Sequence, residues 1–150
     1  MRFLAFLLPS LLLSSLALAE SGLVTKPSPY SVGETLDRLE SVLKSKGVTL
    51  VLRWDHAQKA QNANIELRPT ELLLFGNPKL GSHLMTSQQA TAIDLPMKAV
   101  AWEDSEGQVW LTYNDPEYLA RRHGIDDRSE IINKMVGALN NFSSVATQAK

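Results

Sequence analysis

The sequence predicts an α+β fold in a single domain: a mostly antiparallel, twisted sheet with helices packed on one face. Three observations predict it. Short apolar runs alternate with period two and are bounded by Pro, Gly, Asn and Asp. Between them lie segments whose apolar residues recur three and four apart, the spacing of one helical face. Several neighbouring strands are joined by turns too short for a parallel crossover, and they alternate instead of being apolar throughout, which leaves one sheet face without helices.

The elements follow in order. Leu23 to Lys26 reads as a short strand ended by Pro27 and Pro29, which cannot donate a ladder hydrogen bond. Ser31-Val-Gly-Glu34 has the pattern of a capping box. Val32, Leu36, Leu39 and Leu43 then mark the buried face of a helix, closed by a left-handed Gly47. Val48 to Trp54 alternates, with Val48, Leu50, Leu52 and Trp54 expected on the core side. Asp55 is placed to cap a short helix, His56 to Ala63. Ile65 to Leu67 and Glu71 to Phe75 read as two strands separated by Arg68-Pro69-Thr70. Gly76-Asn77-Pro78 reads as a helix start, with Asn as cap and Pro in the first position, and this helix ends before Asp94-Leu95-Pro96. Lys98 to Glu103 and Gln108 to Tyr113 form a hairpin over Asp104–Gly107, whose Gly suits the left-handed position. Asp115-Pro116 starts a short helix that Gly124 ends. Asp127-Arg-Ser-Glu130 offers a further cap, and Ile131, Met135, Leu139 and Phe142 mark a C-terminal helix over residues 128–146.

Composition bounds the function classes. The chain has 150 residues and no cysteine, which excludes disulfides, thiolate metal sites and cysteine nucleophiles. Its net charge of −1 argues against a broad nucleic-acid surface, and no nucleic-acid partner is expected. Residues 1–19 read as a cleaved signal peptide: Arg2, an apolar run from Phe3 to Leu18, and the small-x-small site Ala17-Leu18-Ala19. The expected mature chain is a single domain over residues 20–150. It carries no integral membrane segment and is exported, to the periplasm if the source is a diderm bacterium and otherwise out of the cell.

Several segments together resemble a known pattern: Asp55-His56, Leu67-Arg68-Pro69-Thr70, Phe75-Gly76-Asn77-Pro78-Lys79 with Gly81 and Met85, Asp94-Leu95-Pro96, and Asp104 through Gly107 to Tyr113-Asn114-Asp115-Pro116. Over about residues 22–125 the chain resembles the uncharacterised bacterial family known as domain of unknown function 302. The resemblance implies a small α+β domain with a twisted sheet and a tendency to homodimerise. It implies no activity. His83 departs from the family's pattern, which more often has Pro or another non-titrating residue there, so a site built on His83 would be peculiar to this chain.

Chemistry has three candidate places. At Gly76-Asn77-Pro78-Lys79, free N–H groups at a helix start, the Lys79 cation and Arg68 ahead of the incoming strand would suit a small anion. The plainer reading is a capped helix with Lys79 in solvent and Arg68 paired to Glu66 or Glu71. His56 is a candidate general base, with Asp94, Glu103 or Asp104 as its carboxylate, although a lone histidine more often serves packing or hydrogen bonding. Weak copper candidates are His56, His83 and Met85, in no recognised ligand spacing, and no cofactor is expected. His123 beside Gly124 suits a helix C-terminus. Trp54 is expected in the core, and Trp110 falls on the opposite sheet face, either covered by a second layer or exposed as a dimer contact or ligand platform. The expectation that emerges is a non-catalytic binding or accessory module, homodimeric, holding a small anionic ligand. An acid–base enzyme using His56 is the alternative, and copper binding a weaker one.

Overall fold

The computed structural model describes residues 21–149. The proposed signal peptide lies outside them. Five strands form one sheet: β1 (Leu23–Ser28), β2 (Thr49–Asp55), β3 (Thr70–Gly76), β4 (Met97–Glu103) and β5 (Val109–Asn114). Their spatial order is β1-β5-β4-β3-β2, and every pairing is antiparallel. Five helices join them: α1 (Val32–Ser45), α2 (His56–Asn62), α3 (Pro78–Ser87), α4 (Pro116–His123) and α5 (Ser129–Thr147), with a 3₁₀ turn at Gln89–Ile93. The expected α+β class is therefore what the chain adopts.

The core lies between the sheet and α1 and α5. Leu36, Leu39 and Leu43 of α1 meet Leu73 and Phe75 of β3, Met97, Ala99 and Ala101 of β4, and Leu111 of β5, all buried. The caps form as their sequences suggest. Ser31 Oγ accepts from Glu34 N at 3.2 Å, Asp55 Oδ1 from Gln58 N at 2.8 Å, and Asp115 Oδ1 from Glu117 N at 3.0 Å. Gly107 takes φ of +80° in the hairpin turn, and Asp104 Oδ1 accepts from the N–H of both Glu106 and Gln108.

Four expectations need correction. Ile65–Leu67 is no strand but an exposed loop: three residues with no partner strand, Ile65 being 61% exposed. Pro27 does not end β1 but pairs opposite Trp110, because β1 is an edge strand and a missing N–H facing solvent costs no ladder bond. The segment after Asn77 is not one helix to Asp94; extended Gln88 breaks it into α3 and the 3₁₀ turn. Asp127 caps nothing: α5 starts without a side-chain cap, and Asp127 instead accepts from Ser87 Oγ and pairs with Arg128. Arg128 also donates to the carbonyl of His83, so α5's first turn is tied to α3.

The largest correction concerns β2. A β-bulge between Leu50 and Leu52 leaves Val51 without a partner, and a one-residue slip sends every later side chain to the other face. Leu50, opposite Phe75, stays on the helix side. Leu52 and Trp54, opposite Leu74 and Leu72, turn to the face that α1 and α5 leave open, and Trp54 is 40% exposed there instead of buried in the core. Arg53 rotates inward beneath α1.

Candidate functional site

Where β3 ends, the chain must leave the sheet without colliding with the loop before β4. Gly76 makes this possible, since a Cβ there would meet Pro96 Cβ at 3.3 Å. Asn77 then caps α3, and Pro78 takes the first helical position. Past this point α3, α5 and the start of β2 come together around one space. Between them lies a cavity of about 390 Å³, within the range of small-molecule sites. Its floor includes Phe75, Gly76 and Met97, its walls Leu80, Gly81 and Met85 on one side and Met135, Ala138, Leu139 and Phe142 on the other. Leu95 and Pro96 close one end, and Val48, Thr49 and Val51 of the edge strand form the rim. No lining residue carries a charge. All three methionines of the described residues, Met85, Met97 and Met135, line this one space.

The expected anion site is not assembled. Gly76 and Asn77 line the cavity, but Arg68 and Lys79 lie beyond opposite ends of β3, about 20 Å apart at the usual rise per strand residue. Arg68 Nε donates to the carbonyl of Glu103 at 3.1 Å, and Lys79 is exposed. The first turn of α3 has no donor to spare. Pro78 lacks an N–H, Lys79 N donates to Asn77 Oδ1 at 3.0 Å, and Leu80 N and Gly81 N both donate to Asn77 O. An anion at this helix start would find its N–H groups taken.

The catalytic and metal candidates also stand apart. His56 opens α2 in solvent, at the end of β2 remote from the cavity, and none of its expected carboxylates pairs with it. Asp104 accepts from Trp110 Nε1 at 2.7 Å. Glu103 contributes its carbonyl to Arg68. Asp94 faces His123 Nε2 at 2.6 Å, with both side chains largely buried and Arg122 Nε 3.6 Å from the same carboxylate oxygen. His123 thus serves Asp94 instead of the end of α4, and it lies outside the cavity lining. On α3, His83 is exposed and Met85 faces the cavity; two residues apart, they diverge by about 200° around the helix axis. Among the described residues, no group of three or more His, Asp or Glu side chains is placed to hold a metal ion.

Burial and hydrogen bonding shift a few groups. The carboxyl of Asp104 is held below the ordinary carboxylate value first by the Trp110 indole N–H, which outweighs the opposing effect of burial, and then by the N–H groups of Gln108 and Glu106 and the charge of Arg68. Arg53 loses solvation beneath α1, yet its bonds to Asp37 and Glu71 hold its guanidinium more firmly charged than in water. Burial lowers Lys26, whose ammonium donates to Asn140 and Ser144 of α5.

Of the residues expected at an anion site, Gly76 and Asn77 line the cavity, while its other walls were not anticipated. Met135 and Leu139 read as ordinary core positions of α5. The available signal was compositional: methionine, flexible and polarisable, suits irregular apolar spaces.

The open face of the sheet is the second feature of note. Leu52, Trp54, Leu72, Leu74, Trp102 and Trp110 project from it. Trp102 and Trp110 stack with centroids 6.4 Å apart, and Trp102 Nε1 donates to Thr112 Oγ1. Trp110 lies on this face as its alternation predicts.

Comparison with known proteins places this architecture. A solved structure described as an uncharacterised conserved DUF302 protein from Bacillus stearothermophilus superposes with a TM-score of 0.76, covering 84% of this chain and 98% of that one at 20% identity, so the two share a fold. Two curated relatives are each named fluoride-specific ion channel FluC 1. The protein of Brucella suis biovar 1 (strain 1330) is 45% identical over 115 residues, 77% of this chain and 45% of its own length. That of Brucella abortus biovar 1 (strain 9-941) is also 45% identical over 115 residues, 43% of its own length. The chain thus spans less than half the length of these relatives. The model of the family described as domain of unknown function DUF302 matches residues 24–142, from β1 through most of α5, so the final helix is part of the family's domain and not an addition to it. With the fold and most of the sequence matched together, the chain belongs to the DUF302 family.

Proposed function

We propose that this chain is an exported, non-catalytic binding module whose site is the apolar cavity between α3, α5 and the β2 edge. The observation that carries the reading is the cavity itself: a preformed space of about 390 Å³ with an uncharged lining. The expected anionic ligand gives way to an apolar one, since desolvating a charge against such walls is unfavourable without a partner. The enzyme alternative is weaker: His56 stands in solvent, and among the described residues no acid–base pair lines the cavity. The copper alternative is weaker for the same reason of separation. Export rests on the character of residues 1–19.

The same module is proposed to work as a homodimer, a reading favoured by the open apolar sheet face. An accessory role is supported by the relatives named FluC, in which the matched stretch accounts for less than half of a longer chain. Among the described residues of this chain, no helix is long and apolar enough to cross a membrane.

The test is native mass spectrometry of residues 20–150, purified without chelator. The expected result is a dimer envelope with a neutral organic mass removable by collisional heating. A protein that carries copper stoichiometrically, or an inorganic anion in place of an organic mass, would overturn the apolar-site reading.

A further inference from the structure

The cavity's lining is specific enough to name a ligand class, an inference that rests on the binding function proposed above. We propose that the site takes a single-chain amphiphile with an uncharged polar end, the chain lying between α3 and α5 and the polar end at the β2 rim.

Three features lead there. The lining is uncharged and mostly apolar, and its three methionines lie on three different elements: Met85 on α3, Met97 on β4 and Met135 on α5. Unbranched, rotatable side chains conform to a flexible chain better than to one rigid shape. The polar side chains of the lining are three, Thr49, Asn77 and Ser82, all uncharged. Thr49 and Ser82 are exposed at the rim, and neither hydroxyl is engaged in a hydrogen bond among the described residues. Beside them runs the edge of β2, bulged at Val51, whose outward backbone groups have no strand to pair with. The rim thus offers donors and acceptors but no formal charge, which matches an alcohol, ester or amide and not a carboxylate or phosphate.

The experiment uses residues 20–150 and the neutral fluorophore N-phenyl-1-naphthylamine, displaced by n-alkanols of increasing length and by the matching n-alkanoates. Two wall variants accompany the wild type. Ala138→Trp adds bulk to the cavity from α5, and Ala92→Trp adds it from a second lining position that is exposed; circular dichroism checks that both fold. The expected result is fluorophore binding that both variants weaken tenfold or more. Alkanol affinity should rise about fourfold per added methylene until the cavity is full, then level off, with alkanoates at least tenfold weaker. If the variants weaken the fluorophore but alkanol affinity does not depend on length, or alkanoates bind as well, the ligand class is wrong and the binding function stands. If the fluorophore does not bind, or both folded variants bind it like the wild type, the binding function fails with it.

Discussion

At the scale of single residues, Asp104 shows how one carboxylate can organise a turn. It accepts from two backbone N–H groups within the β4–β5 turn and from the indole of Trp110 across it. These donors all favour the charged form, so its carboxyl titrates below its ordinary value of 3.8. The sign of the linkage follows: a carboxylate with a depressed native pKa contributes stability that is present above the unfolded value and is lost as pH falls through the native one. Protonation would also weaken the bond to Trp110. Acid titration of the native protein should therefore change indole fluorescence at a midpoint below pH 3.8, and Asp104→Asn should remove that transition. A wild-type midpoint at or above the ordinary value would contradict the account.

At the scale of elements, β2 shows what the sequence could and could not disclose. Its strand character was plain from alternation, as were α1 from its leucine spacing and the caps at Ser31, Asp55, Asn77 and Asp115. The bulge was not, because Val51 differs in no property of sequence from a regular strand residue, and one unseen insertion reversed the faces of Leu52, Arg53 and Trp54. The cavity was hidden for a related reason: its lining comes from β2, β3, β4, α3 and α5, which no local pattern brings together. Arg53 carries the consequence of the bulge. Turned inward, it donates to Glu71 at 2.7 Å, to Asp37 and Glu40 of α1, and to the carbonyl of Gly33. Arg53 is 29% exposed, Glu71 and Glu40 are more shielded still, and only Asp37 stands largely in solvent, so the network is screened only in part, unlike a surface pair. Arg53→Met should lower unfolding stability by about 2 kcal/mol, the scale of lost charge-assisted hydrogen bonds with carboxylates left behind. Urea denaturation measures it, and a loss under about 0.5 kcal/mol would mean the network is no more than a surface ornament of the fold.

At the scale of the whole molecule, the two edges and two faces of the sheet answer one question: where a second copy can attach. Both edges resist strand addition. Pro27 removes a donor from β1, and the Val51 bulge interrupts the line of β2. One face is filled by α1 and α5. The remaining face carries Leu52, Leu72 and Leu74 beside Trp54, Trp102 and Trp110, and tryptophan is among the side chains that dominate binding energy when desolvated. It lies across the sheet from the cavity, so association there would leave ligand entry at the β2 rim open. Leu52→Lys with Trp54→Lys should therefore raise the dimer dissociation constant a hundredfold or more, about 2.7 kcal/mol, because each places an ammonium in the buried contact. Leu52 is 44% exposed and Trp54 40%, so the monomer's core should tolerate both changes. Sedimentation equilibrium of wild type and variant decides it. A wild type that stays monomeric at tens of micromolar, or a double variant that dimerises as tightly as the wild type, would overturn a dimer through this face.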